Sequence, residues 1–492
     1  MIRATTLTAL FFATLAAALA MLQSPSDSDL FWHLSTGEWT LDHGQVLDRD
    51  IWSFTRDGTQ YSVGSWLGDV VLALAYRLAG WVGIDALRAL LVGIAAFFTA
   101  RINLRVQPHV GWAAVPILGT ILVSRMVWGD RPQLFTLALF PVVLDTLLAA
   151  RLRDQREPSA GRLTSSLGRL TSSLGRLWIL PIVIGVWANL HNAFVIGLIA
   201  VAIVAFDAFL ERDPAWRRFA LIAVLCVVAS QLNPAGGGAI KRAAAYGTLL
   251  PGWIVEDRPL DVLSGAGFVF ALLLIAAIAA AMLRGREGIS ARLGAPLLWP
   301  GLIAPFAIAA LAIQRETPYA CMALAPFVAA MFPAALGRPR IVAPDVPRIA
   351  GAAAAAVVAV LLVIEAVSAA PREPDLTAYP VGALPALRQV SGNLLNEYDW
   401  GGYLIRYAPE HRTFIDGRGE ALFLPDVLDD FQRVVALAPG YRDVLKRWDI
   451  AVALLRPDRP LAGALREDGW RVIASDPVRA AASSRWVLLS RP

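Results

Sequence analysis

The side chains best suited to chemistry in this 492-residue chain stand in polar intervals between apolar runs. The first interval, 24–66, opens Ser24-Pro25-Ser26-Asp27-Ser28-Asp29-Leu30-Phe31-Trp32-His33, so a histidine follows the acidic pair by one helical turn. Held at a membrane surface, such a cluster is a candidate catalytic group. Either aspartate alone serves equally well as a helix N-cap, which needs no function. Arg131, in Trp128-Gly129-Asp130-Arg131-Pro132-Gln133, and Arg315, in Gln314-Arg315-Glu316-Thr317, stand at the ends of apolar runs. A guanidinium there either snorkels as an anchor or grips a lipid phosphate through its forked, charged donors. His191, between Asn189 and Asn192 where two apolar runs turn, and Glu256-Asp257-Arg258 complete the set.

The elements that must position these groups are membrane helices. The chain is 57% apolar and only 17% charged, with a mean hydropathy of +0.56. The excess sits in runs of about 16–21 residues, long enough to cross a ~30 Å hydrocarbon core. Residues 4–22 form the first such run, behind Arg3. A signal peptide ending at Ala18-Leu19-Ala20 is one reading, but the many later runs favour an uncleaved first helix. Further runs at 86–104, 112–128, 133–151, 177–188, 193–210, 219–233, 264–283, 296–313, 318–335 and 348–370 make about eleven spans. Residues 67–83, interrupted by Asp69 and Arg77, read as an interfacial or re-entrant helix. Leu30, Phe31, Leu34 and Leu41, with Trp32 and Trp39, suit a helix in the headgroup layer. Residues 51–55 and 59–63 flank Asp57-Gly58 as an expected hairpin.

Arginine-bearing loops at 101–105, 151–176, 211–218, 284–292 and 336–348 fall on alternate connections, as cytoplasmic loops should. The polar motifs lie on the other connections, with Asp27 and Asp29. The expected topology has a cytoplasmic N-terminus, an extracytoplasmic active face and an extracytoplasmic tail. Residues 161–177 duplicate Gly-Arg-Leu-Thr-Ser-Ser-Leu within a cytoplasmic loop, where insertions are tolerated. After 370 no membrane-length run remains. Residues 413–415, 450–455, 471–474 and 486–489 read as strands, and 427–437 and 441–447 as helices, a small α/β domain. The predicted division is therefore 1–370, a transmembrane domain including the 24–66 loop, and 371–492, the extracytoplasmic domain.

The net charge of +5 comes from arginines in short loops that set topology, so nucleic acid is not a predicted partner. Cys226 and Cys321 lie inside apolar runs and indicate no disulfide framework. No His or Cys set has metal-ligand spacing, and no nucleotide-type glycine-rich loop is present.

The ordered motifs resemble the polytopic, lipid-phosphate-sugar-dependent glycosyltransferases of the GT-C fold, and one bacterial branch of them in particular. The branch pattern is matched by Asp27–Gly37, Arg131-Pro132-Gln133, Trp187-Ala188-Asn189-Leu190-His191, Leu232-Asn233-Pro234 and Arg315–Pro318. In the tail it is matched by 396–404 and 414–418, while Asn192-Ala193 stands where the branch has Gly-Gly. The resemblance spans nearly the whole chain. It implies an inner-membrane enzyme taking a polyprenyl-phosphate-linked sugar at the outer leaflet and delivering it, with inversion, to an envelope glycan or lipid acceptor. It implies Asp29 as general base with Asp27 orienting or alternating with it. Arg131, Arg315 and His191 would bind the donor phosphate, and His33, Asn189 and Glu256 the substrate. The pattern identifies no certain cofactor. A divalent metal at Asp27 and Asp29, as in some relatives, stays open. The 401–402 and 416–418 turns are either a structural turn with a salt bridge or acceptor contacts.

A lipid or glycan transporter, or a non-catalytic envelope scaffold, is the competing class. Transporters place ionisable residues near mid-membrane and show inverted repeats. Here Arg125, Asp145, Asp207 and Glu365 lie towards the ends of their runs, and no two-fold pattern is visible. A periplasm-active reporter fused after Pro492 is expected to be active; activity of a cytoplasm-active reporter alone would refute this topology.

Overall fold

In hydrocarbon an apolar backbone has only itself as hydrogen-bond partner, so long runs of Ala, Leu, Val and Ile fold as helices. The computed structural model describes residues 4–61, 63–152, 174–234, 238–241, 255–336, 348–476 and 485–492. Most of the duplicated 161–177 stretch lies outside the described residues. Six described helices are long and apolar enough to cross a membrane: Ala4–Met21, Trp66–Val106, Val110–Val127, Gln133–Arg151, Gly265–Leu293 and Gln314–Ala335. Three further apolar helices, Gly175–Leu190, Phe194–Leu210 and Leu298–Ala312, are 10–17 residues long, at or below the shortest usual spanning length of about 17 residues, and the apolar helix Arg348–Ala369 has 22 residues. All four coincide with runs expected among the spans.

The described chain separates into two compact units, one of Met1–Gln23 and Asp85–Pro371, the other of Ser24–Ile84 and Arg372–Pro492. The 24–66 loop thus groups with the tail, whereas the sequence division had placed it within 1–370. The chain passes between units inside Trp66–Val106, which is two helices broken at Ala79 and Gly80. Gly80 has φ +58° and ψ −141°, a conformation that a side chain would strain.

The first unit is helical. Thr317–Ala335 is buried along nearly its whole length and packs against Gly265–Leu293, Val110–Ser124 and Leu298–Ala312. Its alanines, Pro326 and Pro333 let neighbouring backbones approach closely. Arg88 is fully buried between Asp85 (2.5 Å) and Asp130 (2.5 and 2.6 Å). It also donates to the carbonyls of Ala20 (3.1 Å) and Gln23. Four acceptor groups around one guanidinium explain how a charge survives burial there.

The second unit holds a four-stranded sheet in the order β1-β2-β4-β3. Its strands are β1 Asn393–Asn396, β2 Ile450–Leu455, β3 Arg471–Ser475 and β4 Val487–Ser490. β1 and β2 are parallel, and β4 runs antiparallel to both β2 and β3. Helices Asp426–Val435 and Tyr441–Arg447 form where the sequence places them. Residues 413–415 do not join the sheet as a strand; only Thr413 bridges, to Ser53 and Leu394. The Asn396 side chain bonds Phe414 N–H and Ile415 C=O instead, each at 2.8 Å. The strand hidden in the sequence is β1, because its flanking asparagines are poor strand formers. Gly401 and Gly402 open the helix Gly401–Tyr407 rather than make a turn.

The first-loop segment is woven into this core. Helix Leu30–His43 buries Phe31, Trp32, His33 and Leu34 against protein. The Phe31 ring meets Tyr379 (5.2 Å), Tyr403 (5.8 Å) and Trp81 (6.3 Å) edge to face, a favoured aromatic geometry. The hairpin forms one step earlier than expected: Asp50 N–H bonds Thr59 C=O (2.9 Å) and Tyr61 N–H bonds Asp48 C=O (2.7 Å). Residues 52–54 run beside 413 instead, through Thr413 N–H to Trp52 C=O (3.0 Å) and Phe54 N–H to Thr413 C=O (3.1 Å). Behind this crossing, buried Arg418 makes a two-pronged contact with Asp416 (2.8 and 2.7 Å) and a third bond to Asp50 (2.5 Å). Rings of Trp52, Tyr61 and Phe423 enclose it. Replacing Arg418 by Met leaves two buried carboxylates uncompensated, and we expect a loss of about 3–5 kcal/mol. Arg418→Lys should recover little, since an ammonium cannot reproduce the fork. Thermal unfolding and limited proteolysis of the purified full chain check both.

Candidate functional site

Two groups of sequence-predicted residues are brought together, one within each unit. In the second unit, Asp29 occupies the N-cap position of helix Leu30–His43 (φ −79°, ψ −22°), but its side chain makes no capping bond. Its Oδ1 instead accepts from Trp32 Nε1 at 3.1 Å. Asp27 Oδ1 accepts the Asp29 backbone N–H at 2.9 Å. The carboxylate so oriented belongs to a half-buried residue and does not cap the helix.

The tail pins this short stretch residue by residue. Pro25 C=O accepts from Asp375 N–H (2.8 Å) and Ser26 C=O from the Tyr379 hydroxyl (3.1 Å). A Cβ on Gly402 would lie 2.6 Å from Ser28 C=O, and one on Gly417 would collide with Asp29 Oδ1. Both glycines are therefore places of close approach, where any side chain must displace the acid-bearing backbone or carboxylate. Burial, then the charges of Asp27 and Asp29, push the Tyr379 phenol well above its ordinary range. This tyrosine is a neutral donor beside two carboxylates.

His33, expected at the substrate, is buried with Nδ1 2.7 Å from Asp69 Oδ1. Ser65 Oγ also donates to that oxygen, at 3.1 Å. The pair ties helix Leu30–His43 to the start of Trp66–Val106, and Gly37 allows the approach by lying against Asp69 C=O. Among the described residues no group of three or more His, Cys, Asp or Glu is arranged to hold a metal ion.

In the first unit, Arg131 and Arg315 converge on adjacent carboxylates. Arg131 Nη2 pairs with Glu256 Oε2, and Arg315 Nη1 lies 2.9 Å from Asp257 Oδ1. The segments carrying Arg315 and the two carboxylates are stitched by Gln314 N–H to Arg258 C=O (2.9 Å) and Leu260 N–H to Leu311 C=O (3.1 Å). Burial raises the Asp257 carboxyl above its usual range; Arg315 pulls it down, Glu256 pushes it up and Arg131 pulls it down. Asp130, held by Arg88, fixes the turn from which Arg131 projects.

His191 stands close to the same helix start. Its Nδ1 is 2.8 Å from Thr136 Oγ1, on helix Gln133–Arg151, and also receives Ala193 N–H at 3.4 Å. Trp187 Nε1 donates to Thr136 Oγ1 at 2.9 Å, leaving the threonine proton for the imidazole. With Nδ1 accepting, the neutral ring carries its proton on Nε2 and can donate one hydrogen bond from there. Asn189 is tied to the carbonyls of Gly185 and Leu232, each at 2.8 Å, and Asn233 to Ala188 C=O at 2.6 Å. Asn189 thus holds two helix ends together, and Glu256 is an arginine partner. Sequence reasoning named Asp257 beside Glu256, Trp32 as a headgroup-layer side chain and Gly417 within the 416–418 turn. It passed over Tyr379, which carried no local signal.

No protein-family model matches the chain, and no curated protein sequence matches it significantly. Solved structures do. The Archaeoglobus fulgidus oligosaccharyltransferase tethered with an acceptor peptide superposes with a TM-score of 0.52 and 12% identity over 92% of this chain and 69% of that chain. The oligosaccharyltransferase AglB of the same organism, in complex with an inhibitory peptide and a dolichol-phosphate, gives 0.52 and 14% over 91% and 69%. ArnT from Cupriavidus metallidurans in the apo state gives 0.51 and 16% over 98% and 97%. With its apolar helices and these neighbours, the chain is a helical membrane protein of the GT-C fold.

Proposed function

We propose that this protein is a membrane glycosyltransferase that moves a sugar from a polyprenyl-phosphate donor to an envelope glycan or lipid acceptor, at the outer face of the inner membrane. The observation that carries the reading is the convergence of Arg131 and Arg315 on the Glu256-Asp257 pair, within a fold whose neighbours include a complex with dolichol-phosphate. Two partly exposed guanidiniums suit a phosphate that gains charge as its bond to the sugar breaks. His191 adds a donor from Nε2.

In the proposed reaction an acceptor hydroxyl attacks the anomeric carbon, the carbon–oxygen bond to the lipid phosphate breaks, and configuration inverts. The hydroxyl proton passes to Asp29, and the departing lipid phosphate keeps the bonding electron pair. Asp29 is oriented for this through Oδ1 by Trp32 Nε1, with Asp27 holding the Asp29 backbone. A base so placed is worth typically about 10²–10⁴-fold. Ionisable residues within the helices of the first unit support catalysis over transport. Asp145 pairs with Arg105 (2.8 Å) and Arg101 (3.3 Å), and Asp207 with Arg151 (2.7 Å), so these charges are held in structural pairs.

Comparison of envelope glycolipids and glycans by mass spectrometry in cells carrying the intact protein, a deletion and Asp29→Asn tests the proposal. The deletion and Asp29→Asn should lose the same sugar, with protein levels equal between intact and variant strains. A deletion defect that Asp29→Asn does not share would remove Asp29 as base and advance transport or scaffolding.

A further inference from the structure

The arginine pair is already neutralised before any donor arrives, and its two carboxylates differ in one decisive way. Asp257 has no exposed side-chain surface, whereas Glu256 is 39% exposed; Arg131 and Arg315 are 18% and 30% exposed. Around the pair, Arg131, Arg258 and Arg315 stand against Glu256, Asp257 and Glu316, three charges of each sign, while Asp130 beside Arg131 is held by Arg88. Adding an anionic phosphodiester or phosphomonoester to that set would leave unbalanced negative charge at the edge of a low-dielectric region, where it is costly. Releasing one carboxylate restores the balance. Glu256 is the one that water can receive, because an exposed ion pair contributes little and a buried one resists separation.

From this we infer that Glu256 is a resident stand-in for the phosphate. It holds Arg131 extended in the donor-free protein and swings out to solvent when a lipid phosphate takes the guanidinium, while Asp257 stays and keeps Arg315 aimed. The inference rests on the phosphate-binding reading above and gives Glu256 a role in exchange rather than in contact with the sugar. An empty cationic pocket beside a membrane would attract any anionic headgroup; a tethered carboxylate sets a threshold that only a well-fitting phosphate passes.

The test uses the purified full chain in detergent, with undecaprenyl phosphate as probe, undecaprenol as the uncharged control and inorganic phosphate as competitor. Dissociation constants are read by native mass spectrometry or tryptophan fluorescence. Glu256→Gln should tighten binding of the lipid phosphate by about 2–5-fold, the scale of losing one exposed ion pair, and leave undecaprenol unchanged. Arg131→Gln should weaken it. Asp261→Asn, an exposed acid a few residues on, should have no effect if the exchange is local. Unchanged or weaker binding by Glu256→Gln, or an equal gain from Asp261→Asn, overturns the stand-in role. A wild-type protein that does not prefer the phosphate over the alcohol, or that is insensitive to Arg131→Gln, overturns the phosphate-binding reading itself. Inorganic phosphate competing as effectively as the lipid would show that the pocket takes free phosphate. In that case a tighter competition constant in Glu256→Gln supports the exchange and its absence overturns it.

Discussion

A buried guanidinium must find acceptors within the protein, and Arg418 organises the second unit around that requirement. Asp416 precedes it by two residues, but Asp50 comes from the far side of the chain. Their pairing commits the first loop and the tail to one core. Asp50 also caps the local turn through Trp52 N–H (3.2 Å) and Ser53 N–H (3.1 Å), so the same carboxylate shapes the loop and holds the arginine. Replacing the network by apolar groups could be as stable in principle. The network also ties Asp50 of the 48–61 stretch to 416–418, beside the Ser53–Thr413 bridge.

That tie reaches the acids directly. Gly417, between the two members of the ion pair, lies against Asp29 Oδ1, and Gly401 lies against Asp416. The Asp27–Asp29 stretch is then held from the tail at Pro25, Ser26, Ser28 and Asp29 in turn. A short loop with this many external restraints has little conformational freedom left. The tail and the first loop therefore share one core, and the tail restrains the acid-bearing stretch directly.

The first unit uses the same logic with a different outcome. Arg88 is wholly enclosed by Asp85, Asp130 and two carbonyls and fixes the turn before Arg131. Arg131 and Arg315 keep part of their surface open. Buried arginines build the frame, and partly exposed ones remain able to change partners.

The sequence by itself determined the apolar helices, the polar motifs between them and the α/β character of 372–492, since periodicity and composition are local properties. It also singled out Arg131, Arg315 and the first-loop acids, because arginines at the ends of apolar runs and close acidic pairs are recognisable in one dimension. The tertiary structure alone decided their partners. His33, read as a substrate contact, is bonded to Asp69. Asn189 is committed to two carbonyls. Asp69, which interrupts the 67–83 run, and Asp50, which carried no signal in the sequence, are both fully buried. Partnership across 36 residues (His33 to Asp69) or 368 residues (Asp50 to Arg418) leaves no trace in spacing. A charged side chain's role depends on whether the fold supplies its counter-charge in place of water, and that is a property of three-dimensional neighbours only.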